Sequence, residues 1–490
     1  MTKIALTMGA YEARSILADA QRCINLFQEK NPEDSPFPFT LYPTPGLQYL
    51  TVAPVVGQVR ALYTTSTGVL IAVVGANVYS VSTAYGWALL GTLTTSTGYV
   101  SIKDNTLVCV IVDGTANARA INLTGLTFGN VSATNFFAAD RVDYIDTYLI
   151  FNRSGTNQFF FTFSNATYAM FTSGTAFDPL DIAAKTGGND NIVGLAVMHR
   201  EIWLIGGSPI AGSGGTSEVW FDAGATDFAF QAMPGAFVEH GCTAVGSIAK
   251  YDLALYWLGQ DAAGNSIIFE GAQYRVRRIS THAIEKEISS YPNKADALGF
   301  TYLQEGHIFY VLTFPEANVT WVYDVSEQQW HKRCWADSDG NLNRWRANCF
   351  AAFNNQLIVG DFENGNLYAL NLDYYLDNGA PIPRIRSFPH ITEENDRVIH
   401  KSLIAAMEVG NEMDTSTGDQ FQVSLRWSDN AGRSYGEAIE QSLGDTGEYL
   451  TSVQFNRLGL ARDRVYEFSW SAPMKTCIQG VYLDVMKAAS

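Results

Sequence analysis

The residues Gly432-Arg433-Ser434-Tyr435-Gly436 have the GxSxG spacing of a hydrolase nucleophile. In that motif a strand runs into a sharp turn and then a helix, so that the serine projects over the helix N-terminus. The segment before it, LRWS, reads as a strand, but EAIEQSLGDTGEYL after it is short and glycine-interrupted. The wider string Ser428-Asp429-Asn430-Ala431-Gly432-Arg433-Ser434-Tyr435 is instead similar to an aspartate-box hairpin, in which a polar side chain caps the turn backbone. Ser434 is therefore expected to be structural. No catalytic residue is expected elsewhere, and the chain is read as a non-enzyme.

Metal chemistry needs His, Cys or carboxylates that converge. The seven histidines (His199, His240, His282, His307, His331, His390 and His400) form no HxH or HExxH arrangement. Asp337-Ser338-Asp339-Gly340-Asn341 and Asp361-Phe362-Glu363-Asn364-Gly365 faintly resemble calcium loops. Both lack the sixth-position glycine and the spaced glutamate, so ordinary turns are expected and no metal site is assigned. No P-loop or dinucleotide fingerprint is present, and no cofactor is expected. Arg275, Arg277 and Arg278 make the densest basic spot, joined at a distance by Arg384 and Arg386. Alternation puts Arg275 and Arg277 on one strand face, either merely solvated or facing an acidic partner.

The elements that would position these residues are mostly short strands. From about Thr51 to Tyr375 one theme returns: an apolar strand, a Gly/Asn/Asp turn, then a strand rich in aromatic or branched residues. Seven such units begin near Val69, Thr106, Thr147, Glu201, Leu253, His307 and Gln356. Their spacing, roughly 40 to 55 residues, is close to the period of four-stranded propeller blades. A pair of β-sandwiches also alternates strands and turns, but at shorter spacing. The expected fold is all-β: a β-propeller of six or seven blades over 51–376, with an extended N-terminal arm over 1–50 and a C-terminal β-rich domain over 385–490. The arm is punctuated by Pro32, Pro36, Pro38, Pro43 and Pro45, which favour extended backbone. In THAIEKEISSY, Ile284, Ile288 and Tyr291 fall on one helical face, predicting a helix that packs across the propeller or at a subunit contact. Trp203, Trp220, Trp257, Trp321, Trp330 and Trp335 fall in strands, hence in inter-blade packing, with a carbohydrate-stacking platform as the alternative.

Charge and cysteines narrow the function classes. A formal net charge of −17 opposes sequence-independent DNA binding, which depends on basic groups displacing counterions. The same charge is compatible with the wall of a channel along which DNA slides without sticking. Cys23, Cys109, Cys242, Cys334, Cys349 and Cys477 are scattered, as reduced, apolar residues of a chain folded in a cytoplasm are. No apolar run approaches the roughly 20 residues of a membrane span, and the N-terminus MTKIALTMGAYEARSILADA lacks a signal-peptide core. A soluble protein with no membrane partner is expected.

Several strings together resemble one family. Cys23-Ile24-Asn25-Leu26-Phe27 followed by Leu41-Tyr42-Pro43-Thr44-Pro45-Gly46-Leu47 is similar to the opening of the packaged-DNA stabilization proteins of short-tailed bacteriophages. Ile279-Ser280-Thr281-His282-Ala283-Ile284-Glu285 and the terminal Arg457-Leu458-Gly459 add to the match. The insert PIAGSGGTSEVW and the extreme N-terminus depart from the pattern. The resemblance implies a virion tail protein, made and assembled in the bacterial host cytoplasm. It implies a homo-oligomeric ring, a hexamer, below the portal-adaptor proteins, which retains packaged double-stranded DNA, extends the ejection channel without reading sequence, and docks tailspike or fibre and tail plug proteins. A receptor- or carbohydrate-binding propeller at the tail tip is the competing expectation. A sialidase-like propeller should carry several aspartate-box turns, and one degenerate turn is present.

Overall fold

Runs such as Leu70–Val74 and Val108–Val112 are buried at every position, so both faces of each must be covered. Stacking one sheet on the next meets that demand, and the computed structural model shows it done around a closed ring. The structure describes residues 2–4, 6, 9–207, 215–225, 227–394, 396–412 and 421–488. Residues 209–214, the first half of the expected insert, lie outside them.

Seven four-stranded antiparallel sheets follow one another as blades. Their innermost strands are Val59–Thr64, Ser101–Asp104, Val142–Ile145, Asn191–Met198, Ala249–Tyr251, Leu298–Gln304 and Ala347–Phe353. The hairpin units foreseen in the sequence are the second and third strands of each blade, from Leu70–Val74 and Asn77–Val81 in the first to Gln356–Asp361 and Asn366–Asn371 in the seventh. These strands are the most apolar because they lie deepest between neighbouring sheets. One apolar cluster fills each blade junction. It joins blades 1 and 2 through Ile71 and Ile111, for example, and blades 7 and 1 through Ile358 and Leu70.

The ring closes through the N-terminus. Gly46–Val52 pairs antiparallel with Asn366–Asn371 as the outermost strand of the seventh blade, and it straddles position 50, where the arm was expected to end. Closing a ring by pairing distant segments of one chain removes the free edges that an open sheet would expose.

The sixth blade does not end at its fourth strand, Gln329–Ala336. Cys23–Ile24 pairs parallel with that strand and antiparallel with Arg384–Ser387, and the sheet continues through Asp463–Trp470, Gln422–Ser428 and Ile439–Ser442. A second sheet, Val453–Ala461, Val398–Met407, Ile478–Lys487, Phe39–Pro43 and Leu26–Lys30, packs on it to complete the C-terminal unit. The expected arm thus supplies strands to both C-terminal sheets and to the propeller.

The predicted helix, α2 (His282–Ser289), is present; Ile284, Ile288 and Tyr291 join the core between blades 5 and 6 and the C-terminal sheets. Thr281 caps it, with its hydroxyl accepting from the Ile284 amide. A shorter helix, α1 (Tyr168–Ser173), lies between the third and fourth strands of blade 3 and was not foreseen. Among the described residues, no helix is long and apolar enough to cross a membrane.

Candidate functional site

The region that unites the most segments is the seam between blade 6 and the C-terminal unit, and Asn25 is at its centre. The residue is 1% exposed and its backbone has φ 54°, a left-handed conformation that Asn tolerates better than other non-glycine residues. In that conformation its amide donates to the Cys334 carbonyl (2.9 Å) and the Pro383 carbonyl (2.7 Å), while its oxygen accepts from the Cys334 N–H (3.0 Å). Its main chain continues the pattern, donating to the Lys332 carbonyl and accepting from the Thr44 N–H. One side chain therefore satisfies groups of blade 6 and of the connection to the C-terminal unit.

Twenty-one residues on, Gly46 starts the closing strand where only glycine fits. A Cβ there would sit 2.1 Å from the Tyr374 carbonyl oxygen and 2.6 Å from that of Leu376. The Asn-Leu and Pro-Gly steps that carried the family resemblance are thus the points where the arm locks onto the seam and the ring.

Charges tie the same seam. Glu467, fully buried, accepts from Arg22 (3.1 Å), Ser387 (2.6 Å) and Arg426 (2.8 Å), linking the arm to three positions of the C-terminal sheet. Arg384 and Arg386, expected beside a basic surface spot, are both fully buried, which corrects that reading. Arg384 donates to the Ala472 carbonyl, and Arg386 to Gly9 and Gln21. On a strand covered on both faces, long cations can serve as internal hydrogen-bond donors. Beside them the Arg333 guanidinium lies against the rings of Trp345, Tyr302 and Phe309 and forms no salt bridge among the described residues, with the Tyr302 hydroxyl its nearest polar support. Burial pushes the Asp377 carboxyl up to about 7 against the pull of Arg384 and Arg333. Burial, reinforced by Arg333, holds His331 well below the usual histidine range.

The remaining candidates resolve individually. Arg275, Arg277 and Arg278 are exposed on the outermost strand of blade 5, where Arg277 pairs with Glu270 and Arg278 with Glu285. Ser434 closes a turn: its N–H donates to Asn430 Oδ1 (2.9 Å), its hydroxyl meets Asn430 Nδ2 (2.7 Å), and no helix follows. Asp429 of that turn pairs with Arg464. Asp337 accepts from the Asp339 and Asn341 amides, and Asp361 is held by Arg346, so both calcium-like strings are turns with partners of their own. Trp203, Trp220, Trp257, Trp321 and Trp330 lie in the inter-blade cores, whereas Trp335 is only half-buried, with Arg346 over its ring.

The propeller's own channel is a cavity of about 410 Å³, with Tyr63, Tyr99, Phe300 and Phe350 among its walls. It admits small solutes and is far too small for duplex DNA.

A family model described as Bacteriophage P22 Gp10, beta-propeller, matches residues 4–375, from the arm through all seven blades. No curated protein matches the chain. Among solved structures, the chain is similar to one from the mitotic checkpoint complex (13% identity, TM-score 0.43, covering 70% of this chain and 95% of that one). It is also similar to the N-terminal domain of Nup159 (8%, 0.41, covering 71% and 98%) and to the computationally designed Ika8 protein (12%, 0.37, covering 67% and 99%).

Proposed function

The chain belongs to the phage-stabilisation family of the bacteriophage P22 Gp10 β-propeller, and from that premise we propose that it is a non-enzymatic virion protein of the tail. In this reading several copies, six by the family resemblance, form a ring below the portal-adaptor complex. The ring retains packaged DNA, extends the ejection channel and docks other tail proteins. The observation that carries the reading is the family match across both the arm and the seven blades, the two parts that interlock at Asn25 and Gly46.

Two physical features support it. A closed propeller joined by a continuous sheet to a second β unit is a stiff block with few free edges, suited to a load-bearing ring. The net charge of −17 keeps the surface from gripping phosphate, so DNA held behind such a ring still slides when released. Because the propeller channel is too small for a duplex, the conduit in this reading is the space enclosed by the ring of subunits. A cyclic ring pairs two different patches on each subunit, and binding to the filled head would raise the local concentration that closes it.

Genome retention tests the proposal. Particles assembled with and without the protein are compared for encapsidated DNA after packaging ends. Heads that fill and then leak in its absence support the reading. Heads that stay full but fail to adsorb sink it and favour the receptor-binding alternative.

A further inference from the structure

The propeller channel carries a charge opposite to that of the chain. Arg60, Lys103, Arg141 and Lys250 line it against one acid, Asp143, in a protein whose net charge is −17. Asp143 is 5% exposed and fully engaged. It accepts from the Tyr144 amide (2.9 Å) and the Val197 amide (2.8 Å), and it pairs with Lys103 (3.1 Å) and Lys250 (3.2 Å). Four donors occupy the roughly four lone-pair positions of a carboxylate. Burial alone would raise this carboxyl, but Lys250, Lys103 and the two amides hold it well below the usual range. Asp143 therefore stays charged, offsets one ammonium and has no capacity left for a cation.

The two lysines are less fully engaged. Lys250 also donates to the Val197 carbonyl (2.8 Å), which leaves one of its three N–H bonds free. Lys103 meets Asp143 and the face of Tyr63, and has one to spare. Arg141 donates to the Val245 and Ile248 carbonyls, and Arg60 to those of Gly75, Thr95, Thr97 and Gly98. Carbonyls satisfy the geometry of Arg141 without neutralising its charge, whereas Asp113, bonded to the Thr95 hydroxyl that Arg60 also meets, partly offsets Arg60. Asn348, on the same wall and 5% exposed, donates through its amide to the Val59 carbonyl (2.9 Å) and offers the cavity no carboxylate.

We propose that the propeller channel is a binding site for a small oxyanion of phosphate size, held by the spare ammonium donors of Lys103 and Lys250 beside Asp143. A recess lined by one sign of charge focuses the positive field, and the size of the cavity suits a small free ion.

The test titrates inorganic phosphate into the full chain, at ionic strength held constant with chloride, and follows binding by calorimetry and phosphorus NMR. Saturable binding of one ion per chain is expected. Lys103→Gln should weaken it at least about tenfold, while Lys250, left in place, still pairs with Asp143. Asp143→Asn should move affinity the other way, tightening it by a similar factor, because the ammoniums lose their competing carboxylate. A loss of fold weakens binding in both variants, so opposite directions separate site chemistry from damage. No saturable binding, or affinities that neither variant shifts, overturns the site.

Discussion

Replacing Asn25 with alanine should unlatch the seam between propeller and C-terminal unit. The substitution removes three side-chain hydrogen bonds and leaves the Cys334 N–H and the Cys334 and Pro383 carbonyls facing a dry gap. A buried group deprived of its partner costs about 1 to 3 kcal/mol. Holding alanine at a left-handed φ adds about 1 kcal/mol. Allowing for relaxation, the loss should be about 4 kcal/mol, a large share of the stability of an ordinary domain. Asn25→Gly separates the two causes: it keeps the backbone conformation and loses the bonds, so it should recover only about 1 kcal/mol of the deficit. Denaturant unfolding gives the magnitude, and hydrogen exchange gives the place, with protection lost first in Gln329–Ala336 and Arg384–Ser387. If Asn25→Ala unfolds within about 0.5 kcal/mol of the parent, the range of ordinary surface changes, the latch assignment is refuted.

Gly46→Ala should cost more than about 3 kcal/mol, because its Cβ meets two backbone carbonyls that cannot rotate away; limited proteolysis should then cut within Gly46–Val52, and a protected closing strand would contradict this. Burial, with Arg464 adding to it, lowers His400 to about 4, below its unfolded value of about 6.5. The native state then binds fewer protons than the unfolded chain between those values, so this stability is complete above about pH 6.5 and is lost as pH falls toward 4. His400→Gln should flatten that window by about 3 kcal/mol relative to the parent, and parallel stability–pH curves for the two proteins would refute it. Arg333→Met should raise stability by about 1 to 2 kcal/mol, since the several kcal/mol spent burying a cation that forms no salt bridge exceed the stacking of about 2 kcal/mol that it gains; a lower unfolding midpoint would show that the aromatic cage and the pull of Asp377 outweigh the desolvation.

The repeat was legible because each blade places its two deepest strands between neighbouring sheets, which makes units such as LIAVVGANVYSV apolar nearly throughout. Outermost strands such as Trp87–Thr92 are half-exposed, and their composition hardly separates them from loops. Closure of the seventh blade was invisible for another reason: Gly46–Val52 pairs with a strand more than 300 residues away, and local pattern does not encode such register. Arg384 and Arg386 misled because arginines on a strand usually mark a wet face. The available signal was their position between Ile382 and Phe388, both buried. The turn at Ser428–Tyr435 was read for what it is because Asn430 and Ser434 cap it locally. Asn25 was singled out only through the family resemblance; nothing in its neighbours announces a left-handed, fully bonded residue.

The narrow channel and the seam together constrain how this fold would act in the proposed ring. In the proposed ring the propeller, its channel too small for a duplex, would serve as a wall rather than a bore. A wall must transmit force between neighbours without shearing. The continuous sheet from Leu298–Gln304 to Ile439–Ser442 provides a hydrogen-bonded path from propeller to C-terminal unit. Asn25 and Glu467 pin the point where that path crosses from blade to sandwich, and they do so with residues of the N-terminal arm or bonded to it. A pull on the arm would therefore load the seam at Arg22–Asn25 before it reached the closing strand Gly46–Val52.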